Sequence, residues 1–122
     1  MFINLSNHPS ANWSEEQKNA AEQLAGPIVD IPFPAVDPYA SEDVVSSIAD
    51  NYCQIVLETA CGQDSLIVHL MGEMTLTFAL VQRLHTFGIT CVASTTKRVT
   101  AEDDGVKTSV FKFVKFRKYN PL

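Results

Sequence analysis

"SLIVHLMGEMTLTFALVQRLHTFGITCVAS", residues 65–94, decides the fold. Its opening, "SLIVHLM", is a nearly continuous apolar run, as expected of a central strand covered on both faces. Gly72 follows at once, "EMTLTFALVQRLHTF" makes a helix, and Gly88 caps it. "ITCVAS" then reads as another strand. Strand, helix and strand in this order form a parallel crossover unit.

Upstream the same alternation repeats. "FINL" is a short first strand and "SNHPSANW" a loop punctuated by Pro9. Ser14 and Gln17 fit a capping box at the head of "SEEQKNAAEQLAG", and Glu15 and Glu16 suit the positive end of its dipole. "IVDIPF" is a second strand. Ser41, Glu42 and Asp43 open a second helix, in which Val44, Val45, Ile48, Tyr52, Ile55 and Val56 recur at helical spacing. Downstream, "EDDG" signals a turn, and "VKTSVFKFVKFRKY" is long and β-rich with no helix before it. The expected architecture is therefore α/β: a mainly parallel sheet in the order βαβαβαβ, helices on both faces, and a C-terminal antiparallel hairpin strand. In that last strand Val110, Val114 and Phe116 share one parity and Phe111 and Phe113 the other. Burial on both sides, a bulge or a dimer surface would each produce that pattern.

The 122 residues make a single domain, 1–122, with 46% hydrophobic and 19% charged residues, a globular composition. No apolar run approaches the ~18 residues that span a bilayer. The start "MFINLSNHPS" lacks the basic and apolar regions of a leader, so the cytoplasm is the expected compartment. Cys53, Cys61 and Cys91 form no CxxC pair and are expected as free buried thiols, and three scattered histidines give a metal site little support. Charge is uneven: residues 1–89 sum to −9 and residues 90–122 to +4. Such a chain is a poor candidate for long duplexes, whose binding rests on many phosphate contacts. A small anionic ligand at one basic edge remains open.

In an open parallel sheet, ligands bind beyond the carboxyl ends of the strands. Three segments are expected on that rim: Ser6, Asn7 and His8; Gly72, Glu73, Met74 and Thr75; and Ser94, Thr95, Thr96, Lys97 and Arg98 as a loop after the fourth strand. Asn7 and His8 are either turn chemistry or ligand contacts, and His8 is the one imidazole expected there. His69 and His85 read as structural. Gly72 either lets the chain turn sharply or brings an anion close to a helix start. Thr95, Thr96 and Arg98 offer several donors to a phosphate, Arg98 bidentately; alternatively they are the polar end of a strand. Lys112, Lys115, Arg117 and Lys118 read as a solvated edge, and Trp13 as a packing anchor. Neither GxxxxGK[ST] nor GxGxxG is present, which removes the ordinary nucleotide loops.

The Asn-His loop, the "HLMGEMT" junction and above all "ASTTKRV" followed by "DGVKTSVFKFVKFRKY" resemble the small stand-alone CRISPR-associated Rossmann-fold (CARF-type) proteins. More narrowly they resemble the minimal ring nucleases of type III CRISPR systems. The resemblance implies a three-layer Rossmann-like sandwich and a homodimer with cyclic oligoadenylate across its two-fold axis. The four-adenylate ring would be cut without a metal or other cofactor. By position it implies that Asn7 and His8 line the first-strand side of the ligand, that Gly72, Glu73 and Met74 line its floor, and that Thr95, Thr96 and Arg98 hold phosphates or bases. Ser6, Thr75 and Ser94 are expected to join that lining from their places on the rim, and on chemical grounds Arg98, His8 and Thr96 are expected to carry catalysis. The insertion "PSANW", Lys97 and the bulky Met74 depart from that pattern. Three functions follow as expectations: a ring nuclease, a non-catalytic sensor or sequestering module, and a small assembly subunit with no ligand.

Overall fold

The computed structural model describes residues 1–121. Five strands and three α-helices alternate: β1 (Phe2–Ser6), a 3-10 turn (Ser10–Asn12), α1 (Glu15–Ala25), β2 (Ile28–Pro32), α2 (Glu42–Thr59), β3 (Ile67–Met71), α3 (Met74–Thr86), β4 (Thr90–Asp103) and β5 (Val106–Lys118). The sheet order is β2-β1-β3-β4-β5; the first four strands are parallel, and β5 returns antiparallel to β4. This is the α/β alternation expected from the sequence, hairpin included. Among the described residues no helix is long and apolar enough to cross a membrane.

Side chains alternate across the strands, so each strand feeds two cores. Ile3, Leu5, Val68, Leu70 and Cys91 point to one face, where they meet Ala49, Cys53 and Val56 of α2 and Leu76, Leu80 and Leu84 of α3. Phe2, Ile67 and Val92 point to the other, against Trp13 and Ala21 of the α1 segment. Burying a leucine of this kind contributes about 1.5–3 kcal/mol, so the α3 face is the larger share of the stability. Trp13 is a packing anchor, 8% exposed, edge-on to Phe2.

Local chemistry sets the helix ends. The Ser14 hydroxyl accepts from Gln17 N and the Ser41 hydroxyl from Val44 N, satisfying amide donors that helices leave free. Only the serine half of the capping box forms, because the Gln17 amide turns away to Ser94. Gly26 ends α1 at φ 86, a conformation L side chains rarely adopt.

Two expectations are corrected. Ser94–Arg98 is not a loop: β4 runs straight through it to Asp103, paired with β5. β3 pairs with β4 only from Ile67–Thr90 to His69–Val92, so beyond Val92 the hairpin leaves the sheet as an arm. The split is chemically sealed. Ser94 N, without a strand partner on that side, donates to Met71 Sδ, and the Tyr119 hydroxyl donates to the buried Leu70 carbonyl at 2.7 Å. Cys61 is also exposed rather than buried, since it falls in the turn after α2; Cys53 and Cys91 are buried, and burial pushes the Cys91 thiol up to about 12.

Candidate functional site

The face under α1 carries polar residues on all four parallel strands: Asp30 on β2, Asn4 on β1, His69 on β3 and Ser94 on β4. They form one hydrogen-bond chain. The Asn4 amide nitrogen donates to Asp30 Oδ1 at 3.0 Å and to the His8 carbonyl at 2.9 Å, so Asn4 Oδ1 must accept. It accepts from the Ser6 hydroxyl at 2.7 Å and from His69 Nδ1 at 2.9 Å. That fixes the proton on Nδ1 and leaves Nε2 to accept from the Ser94 hydroxyl at 2.7 Å; Ser94 in turn accepts from Gln17 Nε2 at 3.0 Å.

The spacing is that of a nucleophile, a base and an orienting amide, but the surroundings make it a structural relay. His69 is 2% exposed and ringed by Phe2, Trp13 and Phe116. Burial, and secondarily the nearby His8 charge, lower its pKa to about 4, so it is neutral at physiological pH. His69 lines neither the groove beside α3 nor the small cavity around Asn4 and Asp30.

The relay positions the rim. The His8 carbonyl accepts from Asn4 and from Trp13 Nε1, and His8 N donates to the Ser6 hydroxyl. Its backbone is therefore pinned while Asn7 and His8 stay exposed. Asn7 N donates to the Met71 carbonyl, which holds the first-strand loop beside the end of β3. Asp30 fastens the other flank, accepting from the Ser10 amide and hydroxyl.

Of the residues expected on the rim, Ser6 and Asn7 share a small cavity of about 270 Å³ with Asn4, Asp30 and Phe33. Gly72 and Met74 open instead onto a larger apolar groove of about 880 Å³ between α3 and Tyr119. Gly72 has a packing reason: a Cβ there would lie 2.5 Å from the Phe33 ring. Glu73 caps α3, accepting from the Thr75 hydroxyl and from Thr75 N and Leu76 N. Those bonds, led by the Thr75 hydroxyl, hold its carboxyl below the usual range. The amides proposed for an anion at the α3 start are thus already taken by this carboxylate.

On the arm, Thr95 keeps a bulge closed: its hydroxyl accepts from Lys115 N at 3.2 Å and donates to the Lys115 carbonyl at 3.1 Å. Thr96 and Arg98 are exposed. Arg98 Nε donates to the Ser109 hydroxyl, and its terminal nitrogens bond no described protein atom. Arg98 stands four residues past Ser94 on β4, about 13 Å at ~3.3 Å per residue, and among the described residues no hydrogen bond joins it to His8. Sequence reasoning missed Asn4, Gln17 and Asp30 as a connected set. The available signal was the matching parity of Asn4 and His69 inside two apolar strands.

A family model described as the uncharacterized protein MJ1673 family matches residues 1–117, and the chain belongs to that family. No curated protein and no solved structure matches the chain.

Proposed function

We propose that this protein is a CARF-type, Rossmann-like homodimer that binds cyclic oligoadenylate, the four-adenylate ring first, and cleaves it as a step in CRISPR antiviral defence. The observation that carries the reading is electrostatic. Seven of the nine cations lie on β4, β5 and their turn, on an arm that rises from the carboxyl rim of an otherwise acidic domain. Arg98 has two guanidinium nitrogens with no hydrogen-bond partner among the described residues, and Thr96 lies two residues before it on the same strand.

The chemistry asks little of the protein. In a cyclic RNA each 2′-oxygen lies beside its own 3′ phosphate. Attack forms the 2′,3′-cyclic phosphate, and the 5′ oxygen of the next nucleotide leaves with a proton. Alignment and charge stabilisation are the main contributions. Arg98 and Thr96 supply the charge stabilisation and His8 the proton transfer. Incubation with labelled cyclic tetra-adenylate in EDTA tests this. Linear products from wild type are expected, with Arg98→Ala slower by about 100- to 1,000-fold. An intact ring after prolonged incubation removes the enzyme reading.

The second reading is a sensor or sequestering module with the same ligand and no turnover. Among the described residues the Arg98 side chain hydrogen-bonds only to Ser109 and not to His8, which favours this reading because the proposed acid–base group and the proposed cation are not joined within one chain. Binding without products would select it.

A further inference from the structure

In a two-stranded ribbon, alternate residues share a face and cross-strand partners lie on the same side. Ser94, Thr96, Arg98 and Thr100 of β4 therefore continue the α1 face outward, opposite Phe116, Phe113, Phe111 and Ser109 of β5. Phe113 and Phe116 are three apart and would point to opposite sides of an unbroken strand. The register shift between Thr95 and Thr96 absorbs the odd residue and turns all three rings to one face. Their geometry agrees: Phe113 and Phe116 have centroids 4.9 Å apart, and Phe116 packs on Phe2 and Trp13 in the core.

An aromatic row thus begins in the core and ends in water at Phe111, 68% exposed. Directly across from Phe111 is the exposed Arg98, its Nε held by Ser109 and its other guanidinium nitrogens without a hydrogen-bond partner among the described residues. A phenyl ring here adds nothing to the core, and a bulge that re-aims side chains is a device for binding surfaces.

We propose that this face of the arm is a stacking platform for single-stranded adenylate: Phe111 takes the flat face of one base and Arg98 the adjoining phosphate. Charge selects the occupant. The acidic body repels an anion, whereas the arm attracts one and offers the ring that every nucleobase can cover. The inference rests on the reading of the ligand as an oligoadenylate and adds where a base is held.

The test is fluorescence anisotropy with a dye-labelled linear six-residue oligoadenylate, with unlabelled cyclic tetra-adenylate as competitor. Phe111→Ala is expected to weaken binding by about 5- to 150-fold, the range for one stacked base. Val110→Ala, on the opposite face, is expected to stay within about twofold of wild type, and Phe111→Trp to bind normally with its emission quenched by the base. Phe111 is exposed, so matching circular dichroism spectra will show that the variants are folded. If the ring binds wild type and Phe111→Ala equally, the platform is wrong and the proposed function stands. If the linear strand binds through Phe111 and the ring does not compete, the platform stands and the ring reading falls. No binding of either overturns both. An unquenched Phe111→Trp together with a dimer that Phe111→Ala converts to monomer in sedimentation would make the face a protein interface, and would also overturn the platform.

Discussion

Ser94 and Arg98 lie four residues apart on the same face of β4, yet their environments are opposite. Ser94 is locked between His69 and Gln17 at the edge of the buried relay. Arg98 is exposed, with one bond to a neighbouring strand and no other side-chain hydrogen bond among the described residues. The strand crosses from one regime to the other just after Ser94, two residues beyond its last pairing with β3 at Val92. Inside that line polar groups are satisfied and hold the fold; outside it they are held apart and offered. The relay should therefore govern stability without touching a ligand, and the arm should do the reverse.

The largest effect expected is at the centre of the relay. His69→Ala opens a cavity among Phe2, Trp13 and Phe116 and strips Asn4 and Ser94 of partners. A loss of about 3–4 kcal/mol is expected from urea unfolding; a loss under about 1 kcal/mol would break the contrast. Acid should produce nearly as much. Because the His69 pKa falls from 6.5 to about 4 on folding, the unfolded chain takes up the proton first. The contribution is complete above pH 6.5 and disappears as pH falls through 4, a difference on the order of 3 kcal/mol. His69→Gln should remove that part of the pH profile; an unchanged profile would assign acid sensitivity elsewhere.

Smaller effects sharpen the boundary. Tyr119→Phe orphans the buried Leu70 carbonyl at the point where β3 and β4 separate. It should cost about 1–2 kcal/mol in a thermal melt, against a negligible change if water replaces the hydroxyl. Arg98→Ala should lie within about 0.5 kcal/mol of wild type, as surface changes usually do. A clear loss of stability there would mean that the arm is packed in solution.

Local signals made most of the fold legible. The apolar run before Gly72, the caps at Ser14 and Ser41, and the "EDDG" turn each act within a few residues, and each appears where the sequence puts it. The relay was not legible because it depends on register across four strands, which no single segment encodes. Nor does anything inside "STTKR" say where the neighbouring strand ends, so its extension as a strand looked like a loop. The mixed parity of Val110, Phe111, Phe113, Val114 and Phe116 was visible, but choosing the bulge needed the partner Thr95, whose hydroxyl closes it.

The fully buried β1 also has a consequence during synthesis. It is made before the other four strands of the sheet, yet its two edges are closed only by β2, from Ile28, and by β3, from Ile67. At about 5–20 residues per second on the ribosome, the second edge stays open for roughly 3–12 seconds after Ser6 emerges. An uninterrupted apolar strand exposed that long would be a template for pairing with other nascent chains. Asn4 and Ser6, which later join the relay, break that run and make the open edge a poor seed for aggregation.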